Sequence, residues 1–231
     1  MNRLAYLFLV IIALVIASCG GGGGGIAPDP NNPGTVAPPD TTDVYGFRSN
    51  GKVIRFQKGS TVSVYVFDGA GISGYQTGFK GNVEKYVQKW NDIGTKYGLF
   101  KVALAGNADF AAVVVRWVES LGGNTAGQTS YSFTGSRLDL PIDMQIATRV
   151  GGNLVTSQDI SMTALHEMGH ALGLWDHSSN SHDVMYPVAN NVSFSQRDIG
   201  TIYLLYFTAA DVTPGGKSTA AVGERVTVTV E

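Results

Sequence analysis

Two periods of apolar residues alternate along most of the chain and predict its elements. Residues 61–68, TVSVYVFD, alternate apolar and polar positions and are rich in β-branched and aromatic side chains, which predicts a strand. Residues 53–56 extend it or pair beside it. Over residues 82–97 the apolar side chains fall at Val83, Tyr86, Val87, Trp90, Ile93 and Tyr97, the stripe of an amphipathic helix that packs on the sheet, and Gly98 supplies its stop. Residues 100–105 and 111–118 predict two further strands, the second continuous enough to be buried on both faces. A loop follows at 122–127, and residues 125–133 and 138–147 predict two more strands. A long helix is expected over 157–174, with Ser157 as N-cap and Ile160, Ala164, Met168, Ala171 and Leu172 facing the core. Ser195-Gln196-Arg197-Asp198 has the form of a capping box, and Ile199, Ile202, Tyr203 and Tyr206 place a last amphipathic helix behind it. Strand, helix and further strands in this order give an α/β (α+β) class with a partly parallel sheet.

The two ends depart from this pattern. Residues 1–18 open with Arg3 and continue as an apolar run that is short for a bilayer span and ends in small residues, a secretory signal. Its last residues, Ile16-Ala17-Ser18-Cys19, resemble the bacterial lipobox. That resemblance implies lipidation of Cys19 and an exported lipoprotein at the cell surface or outer membrane, held there because each buried methylene contributes about 0.8 kcal/mol. Cys19 is the only cysteine of the chain, so the mature protein contains no internal disulfide. Residues 19–43, glycine-rich and then proline-rich, offer nothing to bury and form a spacer. Residues 44–210 have a globular composition and suffice for one domain. Residues 211–231 form a tail ending in RVTVTV, a short strand without an assigned role. The formal net charge is −2, with no basic cluster, which argues against a nucleic-acid partner.

Chemistry concentrates in one interval. All four histidines, His166, His170, His177 and His182, lie within it. On a helix His166 and His170 stand four residues apart and share a face, so their imidazoles can reach one metal ion. Glu167 is rotated beside them, where a carboxylate can act as general base on a water without being a ligand. Gly173 suits the left-handed residue at which the helix would stop and the chain swing back.

With His166, Glu167, His170, Gly173 and Met185 in register, the chain resembles the metzincin metallopeptidases, and among them the matrixins and their bacterial relatives. The resemblance covers most of residues 44–207. It implies a metzincin-like catalytic domain: a twisted, mixed five-stranded sheet with an active-site helix, a backing helix and a C-terminal helix. It also implies one catalytic Zn2+, a protein or peptide substrate and a monomer. Met185 would be a packing floor under the ligands, with Tyr186 and Pro187 walling the substrate pocket. The strand at 125–133 would be the sheet edge on which an extended peptide adds its backbone. The family's third histidine falls at position 176, which here is Asp176. His177, displaced by one insertion, Asp176 and His182 stand as alternatives, since zinc accepts imidazole and carboxylate at similar distances. The loop at 122–127 has no histidine, which argues against a second histidine-bound zinc and leaves Ca2+ on carbonyls and carboxylates open. The cysteine that keeps matrixin precursors latent has no counterpart here once Cys19 is assigned to the lipobox. Other readings are a catalytically silent, zinc-containing surface binding lipoprotein and an adhesin whose helix matches by accident. Turnover separates the first from an enzyme, and metal content separates the second.

Overall fold

The computed structural model describes residues 36–216 and 224–230, the second stretch by its backbone apart from Thr227. The expected signal, Cys19 and most of the spacer lie outside the described residues. Among those described, no helix is long and apolar enough to cross a membrane.

The elements run β1 Thr61–Val66, α1 Phe79–Gln88, α2 Asn91–Lys96, β2 Lys101–Leu104, β3 Val113–Val118, β4 Gly127–Thr134 and β5 Arg137–Ala147, then a small ribbon of β6 Arg149–Val150 and β7 Asn153–Leu154, and finally α3 Ser157–Leu172, α4 Gln196–Phe207 and β8 Glu224–Val230. The main sheet has the order β2-β1-β3-β5-β4-β8. β2, β1, β3 and β5 are mutually parallel, and β4 is antiparallel to β5. A parallel β1–β2 pair requires a crossover, and α1 with α2 provides it. These five strands are the mixed sheet that the sequence predicts. β8 adds a sixth strand, antiparallel to β4 from Gly127↔Val230 to Phe133↔Glu224. β4 is therefore not the free edge it was expected to be. Alternation in RVTVTV announces a strand, but which edge that strand pairs with is a long-range matter that no local period encodes.

Other boundaries move for identifiable reasons. The single helix expected over 82–97 begins at Phe79 and divides into α1 and α2. Asn91 turns its side-chain amide to β2, donating to Val102 O at 2.7 Å and accepting the Val102 N–H at 2.6 Å, which ties the second segment to the sheet edge. Trp90 is fully buried and donates its indole N–H to Leu165 O of α3 at 2.9 Å, so it braces α3 as well as the core. The strand at 111–118 is not buried on both faces throughout, because Arg116 points outward and pairs with Asp143 on β5 at 3.0 Å. The N-cap of α3 is Thr156 rather than Ser157. Its hydroxyl accepts the Asp159 N–H, and Asp159 accepts the Thr156 N–H in return, a complete capping box.

The globular part also extends past both expected limits. Asp43 pairs with Arg197 of α4 at 3.1 Å, and the backbone of Asp40 lies against Gly200. At the other end Val212 is buried and bridges Ile54. The core between sheet and helices holds Phe79, Trp90, Phe100, Ile142, Met144, Ile146, Leu165 and Tyr206. Burying a side chain of this size contributes about 1.5–3 kcal/mol, so the core supports the domain without cross-links.

Candidate metal centre

One face of α3 carries His166 and His170, and the chain beyond Gly173 returns His177 to them. His166 Nε2 lies 3.0 Å from His170 Nε2, which lies 3.2 Å from His177 Nε2. Ligands of a tetrahedral zinc at about 2.0–2.1 Å stand about 3.3 Å apart, so this cluster has the dimensions of a metal site. Among the described residues it is the group of histidine, cysteine, aspartate and glutamate that converges closely enough to hold an ion.

The outer nitrogens decide what the inner ones can do. His166 Nδ1 lies 2.8 Å from Val184 O, and His170 Nδ1 lies 2.6 Å from Leu174 O. A carbonyl only accepts, so each Nδ1 must carry the proton and each Nε2 must present a lone pair. Two lone pairs facing each other in a buried space repel, and a cation between them removes the conflict. Burial, followed by the neighbouring histidines, holds His166 down to about 3 and His170 well below the ordinary histidine value. Burial lowers His177 as well, with Asp176 acting in the opposite direction. All three imidazoles are thus neutral near pH 7, the form in which they ligate.

The turn after α3 selects which residue joins the pair. Gly173 has φ 115, and a Cβ there would lie 2.7 Å from Ile54 O, so both backbone and space require glycine. Leu174 and Trp175 then bury themselves, with the Trp175 indole N–H donating to Ile54 O at 2.8 Å. Asp176 falls on the outer side of this extended stretch. It is exposed, lies against the backbone of Gly46 and accepts the His177 N–H at 2.9 Å. His182 is exposed, its backbone N–H held by Asn180, and stands outside the cluster. The structure therefore brings His177 to the pair and leaves Asp176 and His182 away from it.

Glu167 is fully buried beside the histidines. Its Oε2 accepts a hydrogen bond from Thr129 Oγ1 of β4, while Oε1 has no hydrogen-bond partner among the described residues. A Cβ on Gly127 would lie 2.6 Å from Oε1, so a glycine keeps the space beside that oxygen open. Burial raises the Glu167 pKa to about 8, with the Thr129 hydrogen bond acting in the opposite direction.

A family model described as Matrixin matches residues 52–207. The chain belongs to the matrixin family. No curated protein matches it. Family membership and the three-histidine cluster together fit a zinc metallopeptidase.

Around the centre of this matrixin, Met185 is fully buried, and its sulfur fills the space that a side chain at Gly169 would take, directly against α3. The Met185 segment is held by α4. Asp198 Oδ2 accepts the Val184 N–H at 2.9 Å, and the Val184 carbonyl in turn fixes His166. Asp198 Oδ1 accepts the Tyr45 hydroxyl at 2.9 Å. Asp183 is buried next to it, bonded to Ser178 and 3.5 Å from Arg197 Nη1. Sequence reading saw Asp198 as a helix cap and did not see its hold on the histidine, and it missed Thr129 altogether. Both roles arise from contacts beyond the local motif, 14 residues apart for Asp198 with Val184 and 38 for Thr129 with Glu167. Tyr186 and Pro187 are half-buried just past Met185. A cavity of about 290 Å³ beside α3 is lined by Thr163, Val155 and Ala126 and by the next two residues of that segment, Val188 and Ala189, rather than by Tyr186 and Pro187. A larger cavity, about 850 Å³, lies elsewhere and includes none of the histidines.

Proposed function

We propose that this matrixin is a zinc-dependent metalloendopeptidase, exported as a lipoprotein held through Cys19, that hydrolyses peptide bonds in extracellular or cell-surface proteins. The observation that carries the catalytic reading is the convergence of three neutral imidazoles next to a buried carboxylate with one unengaged oxygen. His166, His170 and His177 would hold the zinc, and bound zinc supplies Lewis acidity towards a water and a peptide carbonyl. Glu167 supplies the proton chemistry in its ionised form, which a cation held by the histidines would favour against the rise that burial alone imposes. Its Oε2 stays with Thr129, and Oε1 takes a proton from the attacking water and gives it to the departing amine nitrogen. A purely structural metal site gains nothing from such a base. Met185 supports the ligand helix from below. Tyr186 and Pro187, with Val188 and Ala189 after them, border the substrate side, where the cavity beside α3 would take a modest apolar side chain. The leader and its lipobox-like end support the anchored location.

The test compares the purified chain with Glu167→Ala for zinc content and for cleavage of a mixed peptide library. About one zinc in each is expected, with cleavage in the variant lower by about 10²–10⁴-fold. Equal cleavage would remove Glu167 as the base, absence of zinc in both would remove the site, and zinc without cleavage in either favours a silent binding lipoprotein. Incorporation of labelled fatty acid that disappears in Cys19→Ser tests the anchor.

A further inference from the structure

The tail strand lies along β4, the strand that borders the proposed base. The first residues of β4 border the proposed base, since Gly127 leaves the space beside Glu167 Oε1 and Thr129 bonds to Oε2. β8 pairs with those same residues, placing Val230 opposite Gly127 and Val228 opposite Thr129. Its backbone therefore runs one ladder spacing, about 4.8 Å, from the part of β4 that touches the base. α3 borders β8 as well as β4.

Residues 213–216 are held at one end of β4. Thr213 bridges Arg137 and its carbonyl accepts the Leu138 N–H at 2.9 Å, while Gly216 lies against the backbone of Ser136. Both contacts are at the β4–β5 turn, the end at which β8 begins with Glu224 opposite Phe133. A tail delivered there meets β4 within one chain, so an external peptide competes with a tethered rival.

We propose that residues 224–230 are a built-in competitor for peptide substrates, occupying the β4 edge until a substrate strand displaces them. An added strand uses the outward N–H and C=O groups of its host, and one edge cannot serve two strands. The proposal rests on the peptidase reading given above for the identity of what is displaced. It makes β4 an exchange site in which the chain's own ERVTVTV segment and an external extended peptide are alternatives.

Double substitutions Val226→Pro/Val228→Pro and Thr227→Pro/Thr229→Pro test it. Successive strand N–H groups point to opposite sides, so one pair removes two bonds to β4 and the other removes groups that face away. The first readout is binding of a labelled synthetic ERVTVTV peptide, by anisotropy, to zinc-loaded chains that also carry Glu167→Ala. One proline pair is expected to tighten binding by about tenfold or more over the intact tail, and the other to change it little. The second readout is cleavage in the Glu167 background, where the same pair lowers KM by a similar factor and leaves kcat unchanged. Zinc content near that of the parent verifies that each variant is folded. Hydrogen exchange of the unsubstituted chain needs no variant: amides across β4, residues 128–133, are expected to exchange slowly without ligand. Unchanged peptide affinity in both proline variants, or rapid exchange of every second β4 amide, overturns the proposal. Tighter binding with no cleavage by any chain would leave strand exchange standing and remove the peptidase reading. Cleavage with unchanged binding does the reverse.

Discussion

Thr156 with Asp159 ahead of α3, and Ser195 with Asp198 ahead of α4, are capping boxes of the same form. In each, a hydroxyl accepts the amide three residues on and the aspartate there accepts the amide of the cap. Thr156 is exposed and the hydrogen bonds of its box stay within four residues. Asp198 is fully buried, and the same carboxylate that closes the box also holds Val184 and Tyr45. One box starts a helix, whereas the other starts a helix and positions a histidine of the candidate metal centre. A motif readable in four residues thus carries a local effect that is constant and a global one set by what else the carboxylate touches.

Asp198→Ala should give the largest break in that contrast. It leaves the Val184 amide and the Tyr45 hydroxyl without their acceptor in a buried space, at a cost of about 1–3 kcal/mol each, beyond the lost cap. Because Val184 O orients His166, zinc affinity should fall as well, by about 10–100-fold. Denaturant unfolding and competition with a zinc chelator measure the two effects, and an unchanged zinc affinity would detach the α4 box from the centre. Asp198→Asn is the milder test and adds a pH signature. Burial raises the Asp198 pKa in the folded state, with its hydrogen bonds acting in the opposite direction. The folded chain therefore holds this proton more tightly than the unfolded one, and its contribution is greatest at low pH and declines as pH rises above the ordinary value of 3.8. Asparagine does not titrate, so the destabilisation it causes should be smaller at pH 7 than at pH 4. The opposite slope would contradict the burial argument. Asp159→Ala should have the smallest effect, about 1 kcal/mol in thermal or denaturant unfolding, with zinc affinity unchanged. A loss of zinc in that variant would show that the two boxes differ less than their burial indicates.

The same division runs through what could be read in advance. Alternation and, for β3, a continuous apolar run located β1 to β5, and the 3.6-residue stripe located the helices, because all follow from side chains covering a common core. The break between α1 and α2 was not legible, since it depends on Asn91 reaching across to Val102. His166, Glu167 and His170 could be named from spacing alone. The hydroxyl on Glu167 comes from Thr129 on a strand 38 residues earlier, which leaves no pattern near the motif.

By itself the sequence determined the class of the fold, the helix that carries the paired histidines, its glycine stop and the carboxylate beside those histidines, because each is a matter of period or of neighbouring residues on one helix. Tertiary structure decided that His177 and not Asp176 turns inward, since burial of Leu174 and Trp175 sets the phase of the chain after Gly173. It also decided that β8 covers β4, because strand pairing depends on which backbone edge is within reach, and alternation along one strand carries no information about its partner.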